Sequence, residues 1–199
     1  MKTIMAHNGT KIKVSNEDFE YLNQFDWYSH SNKYFYRNDK HTYEYKNGNF
    51  FPKRVTMHRE VLERKLGTTL PKHLRPDHRD LDTLNNTREN LRPATVSQNN
   101  ANCRPRNGRM YKGVYSYELP SGTFGYRARI KNNGKLMSLG NFDNELDAAL
   151  AYDKEAYKQW GEHARCNILH TFQLQGVVIE ETPLFFQEFI NKFKQLTNI

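Results

Sequence analysis

Alternation of apolar and polar residues is clearest just past the middle of the chain. Three short alternating runs, at about 112–117, 124–131 and 135–140, are separated by Pro120-Ser121-Gly122 and by Asn133-Gly134. The Asn-Gly pair is a strong hairpin signal, and Pro with Gly interrupts regular structure. The pattern therefore predicts a small antiparallel sheet of three strands.

A helix is predicted to follow this sheet at about 144–160. Asp143 is a candidate N-cap, acids crowd the first turn, and Gly161 stands just beyond the end. Because successive strand residues point to opposite faces, the middle strand has two unlike sides. Its apolar side carries Tyr126, Ala128 and Ile130, and its other side carries Arg127, Arg129 and Lys131. In the third strand, Met137 and Leu139 are expected on the helix side, with Leu136 and Ser138 opposite. We expect the helix to cover the apolar side and to leave the cationic side bare.

Upstream, the pattern predicts shorter elements. Helical segments are indicated at 16–22 and at 57–66, where Gly67 follows as a stop. Aromatic runs around Tyr34–Tyr36 and Tyr43–Tyr45 favour short strands. Further on, a strand ending near His78, a turn-rich loop, a strand at Leu91–Thr95 and a helix opening at Ser97 make a ββα unit.

Composition narrows the class of protein. The 199 residues carry a formal net charge of +8, a mean hydropathy of −0.92 and 13% aromatics. No apolar run approaches a membrane span of about 18 residues, and the start of the chain lacks a signal-peptide core, so we expect an intracellular protein with no membrane partner. Two cysteines are too few for a disulfide framework or a four-thiolate zinc site. The basic excess suggests a polyanionic partner.

The ββα unit carries the candidate chemistry. Asp77 and Asn99 can place oxygen ligands on one hard cation, with His78 directed at the same place. Oxygen ligands without thiolates favour Mg²⁺ or Mn²⁺ over Zn²⁺. A neutral imidazole can take a proton from water while a metal neutralises charge on a phosphate. This set suits phosphodiester hydrolysis.

The stretch DHRDLDTLNNTRENLRPATVSQNNAN (77–102) resembles the HNH endonuclease family, especially its phage and intron-encoded members. NEDFEYLNQFDW (16–27) and MHREVL (57–62) also resemble the N-terminal part of these proteins. The resemblance implies Asp77 and Asn99 as metal ligands, His78 as general base, and Asn90 as a brace of the loop. Leu81 stands where the family usually has Gly. Because a left-handed backbone is costly for Leu, we expect this loop to take another path.

Four downstream segments resemble the ethylene-response-factor-type DNA-binding domain: YKGVY (111–115), YRARI (126–130), SLGNFDNELDAALAYDKEA (138–156) and GEHARCN (161–167). That family reads the major groove with a three-stranded sheet backed by one helix. The resemblance implies eight candidate DNA contacts: Lys112, Tyr115, Tyr117, Arg127, Arg129, Lys131, Leu136 and Ser138. Plant members have Arg and Trp at several of these positions, so their target sequence is not carried over.

Other residues allow two interpretations each. His58 with Arg59 is a candidate accessory pair near the scissile phosphate, or a structural pair. Arg88 and Arg92 could hold phosphate or form salt bridges with neighbouring acids. The linker arginines, Arg104, Arg106 and Arg109, are expected to follow the DNA backbone. An apolar stripe in 183–196 either packs on a domain or forms a dimer; a monomer is favoured.

These observations predict an α+β protein in four parts. A nuclease module spans 1–103, with the ββα-metal motif at about 73–103, followed by a basic linker at 104–109. A three-stranded-sheet DNA-binding domain spans 110–169, and an amphipathic tail spans 170–199. The predicted function is that of a site-specific homing endonuclease, dependent on Mg²⁺ or Mn²⁺, that nicks or cuts double-stranded DNA; if phage-encoded, it would act in the bacterial cytoplasm. The alternatives are a DNA-binding regulator with an inactive HNH site and an enzyme unrelated to nucleic acid.

Overall fold

The computed structural model describes residues 1–29, 33–132 and 134–168 as a mixed α+β protein, which confirms the predicted class. The apolar stripe of the tail lies outside the described residues. The described strands are β1 Lys2–Met5, β2 Lys11–Val14, β3 Tyr36–Lys46, β4 Asn49–Thr56, β5 Leu74–His78, β6 Asn85–Asn86, β7 Leu91–Thr95, β8 Val114–Glu118, β9 Phe124–Asn132 and β10 Lys135–Phe142. The helices are α1 Asn16–Leu22, α2 Met57–Leu66, α3 Val96–Ala101 and α4 Glu145–Trp160, followed by a 3₁₀ turn at Gly161–His163. Within these residues, no helix has the length and apolar character to cross a membrane.

The first half of the chain surrounds one apolar core. β1 and β2 form a hairpin, and β6 adds to β2 in parallel, with Val14 opposite Asn86. The core contains Trp27 and Phe35, both fully buried, and the Trp27 indole N–H donates to the Leu22 carbonyl at 2.9 Å. Burial of the aromatic residues in this module therefore compensates for the low overall share of apolar residues.

The ββα unit is formed by β5, β7 and α3. β5 and β7 pair antiparallel, so that Asp77 lies opposite Arg92 and His78 opposite Leu91. Thr95 and Gln98 form a capping box at the start of α3, which satisfies backbone groups that a short helix otherwise leaves unpaired. α2 has the predicted bounds, and it ends at Gly67 in a left-handed conformation (φ +67°), which glycine adopts without strain.

In the second half, β8, β9 and β10 form an antiparallel sheet in the order β10-β9-β8, and α4 packs on it. Ala128 on β9 and Ala148 and Ala149 on α4 are fully buried, because small side chains let the helix approach the sheet closely. The Asp153 carboxylate on α4 accepts from the backbone N–H groups of Asn167 and Ile168 at 2.6 and 2.7 Å. These bonds fix the chain after the helix against the same unit.

One local prediction for this unit was wrong. The N-cap of α4 is Asn144, whose side chain accepts from the Asp147 N–H at 2.8 Å, and not Asp143. Met137 pairs with the buried Ile130 and therefore lies on the predicted side of the sheet, although it is 38% exposed. Leu139 packs into the core as predicted, at the bulge where the pairing of β10 with β9 shifts register between Ser138 and Gly140.

The two halves contact each other directly through α3 and the end of α4. The Trp160 indole donates to the Ser97 hydroxyl at 3.0 Å, and the Arg165 N–H donates to the Ala101 carbonyl at 3.2 Å. The Lys112 ammonium also donates to the Ala101 carbonyl, and burial lowers the pKa of that ammonium. The ββα unit and the sheet unit are therefore joined at α3 as well as through the linker.

Candidate active site

Asp77 is held in place by a buried ion pair at the end of β5. Arg92 Nε donates to Asp77 Oδ2 at 2.8 Å, and the Asn102 amide donates to Asp77 Oδ1 at 3.0 Å, to Oδ2 at 3.2 Å and to the His78 carbonyl at 2.8 Å. Asp77 and Arg92 are only 2% and 5% exposed. This network fixes the orientation of the carboxylate.

The neighbouring imidazole is oriented by a residue that the sequence did not reveal. His78 Nε2 lies 3.3 Å from Asn86 Oδ1, and Asn86 Nδ2 donates to the Thr83 carbonyl at 3.1 Å. Since the amide nitrogen is used by Thr83, the amide oxygen faces His78 and can only accept. His78 Nε2 then carries the proton, and Nδ1 keeps the lone pair that a general base needs.

Other rings surround this imidazole. The His58 ring centroid lies 5.7 Å from that of His78, and the Tyr34 ring lies 5.3 Å from His58 and 6.3 Å from His78. Burial lowers the pKa of His58 to about 3, with the neighbouring His78 and Arg59 adding to the effect. Burial also lowers the pKa of His78, although the Asn86 contact and three nearby acids oppose this. Both imidazoles are therefore neutral near pH 7.

The loop between β5 and β6 takes the left-handed conformation at Leu81, with φ of +65°. The expectation that Leu would divert this loop was therefore wrong. Asn90 spans the loop: its Oδ1 accepts from the Asp80 N–H at 3.1 Å and its Nδ2 donates to the Asn85 carbonyl at 2.7 Å. The Asp80 carboxylate accepts from the Asp82 N–H and from the Asn85 amide. The loop is thus fixed by its own polar side chains.

The donor set suits a hard cation with few protein ligands. An ionised carboxylate offers about four lone-pair directions, and the contacts of Asp77 use three of them. Asn99, on α3, is half-buried. Among the described residues, no cluster of three or more His, Cys, Asp or Glu could bind a metal by itself. The two predicted ligands, Asp77 and Asn99, offer oxygen donors only, which Mg²⁺ prefers and which Zn²⁺ sites built on Cys and His do not use.

Three predicted basic residues are instead engaged in the protein's own ion pairs. Arg88 binds the buried Asp18 through two bonds of 2.7 and 2.8 Å and also contacts Glu17. Arg59 pairs with Glu63 at 3.1 Å, and Arg92 pairs with Asp77. For Arg88 and Arg92, this is the salt-bridge interpretation that the sequence left open. In the structure neither guanidinium is presented for phosphate.

The cationic side of the sheet carries alternating arginine and tyrosine. Arg127 lies over the Tyr117 ring at 5.2 Å, and Arg129 and Arg109 lie over Tyr115 at 5.7 and 4.2 Å. Leu136 is exposed, as are Ser138 and Lys131. Lys112 does not belong to this side, because its ammonium is near the Tyr152 ring of α4 and bonds to α3.

A cleft of about 710 Å³ connects this side with α3. Its described lining contains no acid and five cations: Arg104, Arg106, Arg109, Lys112 and Lys131. Asn100 and Ser97 of α3 line one wall, and Tyr115 of the sheet lines another. The cleft therefore runs from α3, the helix that carries Asn99, to the arginine-rich strands. Every charged residue in its described lining is positive.

Sequence reasoning missed Asn86, Asn102 and Tyr34 as parts of this site. Asn86 lies directly beside Asn85 in an asparagine-rich stretch, and Asn102 is one of three asparagines between Thr95 and Cys103. Nothing in that run distinguishes which amide reaches Asp77. The only available signal was the density of asparagine around the motif.

Comparison with known proteins identifies the part of the chain that contains the ββα unit. Residues 55–101, from the end of β4 to α3, match the HNH endonuclease family. The chain contains an HNH endonuclease domain. An uncharacterized HNH endonuclease of Acanthamoeba polyphaga mimivirus is 31% identical over 114 residues, which cover 57% of this chain and 58% of that protein. The chain thus spans somewhat more than half the length of that relative. Both similarities confirm the prediction of an HNH domain in this part of the chain.

Proposed function

We propose that the chain is a site-specific DNA endonuclease of the homing type that hydrolyses phosphodiester bonds with a divalent cation. The observation that carries the proposal is the state of His78: a neutral imidazole, protonated on Nε2 by its contact with Asn86, beside the Asp77 carboxylate and within the HNH domain. This is the arrangement that a water-activating base requires.

In this proposal His78 is the general base and Asn86 positions it. The lone pair on Nδ1 takes a proton from the attacking water. Because burial lowers the pKa of His78, the imidazole is in its neutral form at neutral pH, with its lone pair on Nδ1, and needs no second base. Asn90 keeps the loop between β5 and β6 in the conformation that presents His78 and Asp77 together.

Asp77 and Asn99 would hold the cation, Mg²⁺ or Mn²⁺. When bound, such an ion neutralises negative charge on the phosphate and on the leaving oxygen. Arg92 and Asn102 keep the Asp77 carboxylate in a fixed orientation, so the side chain need not be ordered again at each binding event.

The sheet unit would recognise double-stranded DNA, as its resemblance to ethylene-response-factor-type domains implies. Arg127 and Arg129 are the candidate readers, because arginine binds guanine edges bidentately in the major groove. The cleft lined by Arg104, Arg106 and Arg109 would follow the phosphate backbone from the sheet toward α3. All charged residues in the described lining of the cleft are positive, which supports a continuous path for the phosphate backbone.

The competing proposal is a DNA-binding regulator with an inactive nuclease site. Two observations favour it: Leu81 holds a conformation usual for glycine, and the Asp77 carboxylate is already paired with Arg92. Both are compatible with an active enzyme, since the loop is closed by hydrogen bonds and Asp77 keeps a free lone-pair direction.

The test is cleavage of selected DNA. Fragments bound by the full chain in EDTA are recovered from random duplex, Mg²⁺ or Mn²⁺ is added, and the ends are mapped. We expect cuts or nicks that need the cation and that disappear in His78→Ala, while binding in EDTA is unchanged. Equal cleavage by His78→Ala would reject the mechanism, and intact binding without any cleavage would favour the regulator.

A further inference from the structure

β3 and β4 form a two-stranded ribbon whose large apolar side chains are exposed. The two strands meet at a turn with Asn47 and Gly48, both in left-handed conformations. Tyr43, Tyr45 and Phe50 are 61%, 64% and 73% exposed, and Phe51 is 50% exposed. Such a cluster on one element is unusual for a solvated surface and marks a site of interaction.

Most of these residues share one face, which we call the aromatic face. Directly paired residues of antiparallel strands lie on the same side. Tyr45 pairs with Phe50, with ring centroids 5.0 Å apart, and Tyr43 pairs with Pro52. Alternation along β4 adds Arg54, which lies 4.6 Å above the Tyr36 ring. The aromatic face consists of Tyr36, Tyr43, Tyr45, Phe50, Pro52 and Arg54. Phe51, opposite Glu44, is on the other face.

The base of the ribbon lies at the candidate active site. β3 begins two residues after Tyr34, whose ring contacts His58 and His78, and β4 runs directly into α2, which begins one residue before His58. At ~3.3 Å per residue, a ribbon of this length extends roughly 30 Å from its base. One turn of duplex DNA is ~34 Å long. The ribbon could therefore lie along a duplex for most of a turn from the scissile phosphate.

Charge decides between DNA and a second copy of the chain. Residues 36–56 contain five Lys or Arg against two acids, Asp39 and Glu44, and Arg37 pairs with Glu60 outside the ribbon, which leaves an excess of two cations. Two such ribbons facing each other would repel, whereas a polyanion is attracted. A two-stranded ribbon can enter a groove of duplex DNA, and exposed aromatic side chains can insert as wedges between base steps. Duplex DNA is the partner that satisfies both properties.

We propose that the aromatic face of the β3–β4 ribbon is a DNA-binding arm that contacts duplex DNA beside the cleaved phosphate. This inference rests on the proposed function for the location of the cleaved phosphate. The arm would be a DNA contact separate from the sheet unit. In the sequence, it comes before most of the HNH domain, whereas the sheet unit comes after it.

The test compares two variants of the full chain with matched changes. Tyr45→Ser with Phe50→Ser alters the aromatic face, and Phe51→Ser alters the other face of the same strand. The probe is the pool of duplexes that the wild type selects in EDTA. We expect the double variant to lose about tenfold or more in affinity and to lose hydroxyl-radical protection over up to ~10 base pairs on one flank. Phe51→Ser should bind within about twofold of wild type. Thermal melts of all three proteins exclude unfolding as the cause.

Unchanged affinity and footprint in the folded double variant would overturn the inference. A wild-type dimer in sedimentation that the double variant converts to monomer, with DNA affinity unchanged, would also overturn it, because the face would then bind a second copy. Because binding is measured in EDTA, absence of cleavage in Mg²⁺ rejects the proposed nuclease activity without affecting this result.

Discussion

The ion pair between Asp77 and Arg92 should contribute strongly to folding, and Arg92→Leu isolates that contribution. Both side chains are almost fully buried, and Arg92 also donates from Nη1 to the Glu162 carbonyl at 2.7 Å. Removing one partner of a buried pair leaves the other charge uncompensated and typically destabilises by about 3–5 kcal/mol. For a chain of this length each kcal/mol shifts Tm by ~2–4 °C, so the expected loss is roughly 6–20 °C.

Arg79→Leu is the matched control, because Arg79 also contacts Glu162, through the carboxylate at 3.1 Å, but both side chains are about half exposed or more. An exposed pair contributes at most about 1 kcal/mol. The assay is urea unfolding of wild type and both variants at pH 7. Equal losses for Arg92→Leu and Arg79→Leu would refute the reasoning. A further check is Asp77→Asn with Arg92→Leu: removing both charges should restore part of the stability that Arg92→Leu lost.

Three other predictions concern pH, loop strain and packing. Because the pKa of His58 is about 3 when folded and about 6.5 when unfolded, the unfolded chain binds the extra proton. Stability should therefore fall as pH drops from 6.5 toward 3, and His58→Gln should remove roughly 2 kcal/mol of that loss between pH 7 and 5 in urea titrations; parallel pH curves would contradict it. Leu81→Gly removes the left-handed strain that Leu81→Ala keeps, so it should be about 1–2 kcal/mol more stable than Leu81→Ala; equal Tm values for these two variants would count against the strain. Gly113→Ala should cost about 1–3 kcal/mol more than Gly122→Ala, since both have positive φ but only Gly113 would place a Cβ against Tyr152 and the Arg129 carbonyl; matching melts would show that Tyr152 moves away.

Local signals were sufficient for the elements that carry the site, and long-range pairing was the part they could not supply. α1 and α2 have the predicted bounds, and for α2 the predicted stop, Gly67, directly follows the helix in a left-handed conformation. Asn86 is different: it is buried because β6 pairs with β2, more than seventy residues earlier. Its role beside His78 depends on that pairing, which no local pattern encodes.

The same distinction explains the arginines. Arg88 and Arg92 flank Asn90 in sequence, and both could have faced a phosphate. The register of β5 with β7 places Arg92 opposite Asp77, and α1 brings the buried Asp18 to Arg88. Burial raises the pKa of Asp18, but hydrogen bonds from Arg88 and Arg64 outweigh it and hold the pKa below its usual value. Tertiary contacts thus place two candidate DNA-binding arginines in ion pairs within the protein.

Leu81 shows why a correct local rule gave a wrong prediction. A left-handed Leu is destabilised by about 1–2 kcal/mol. The loop around it is closed by bonds from the Asp80, Asp82 and Asn90 side chains, five of them between 2.7 and 3.1 Å. At about 0.5–1.5 kcal/mol net each, these bonds together exceed the strain of one residue. The loop conformation is therefore set by its polar residues. Glycine at position 81 would lower the strain of this conformation but is not required for it.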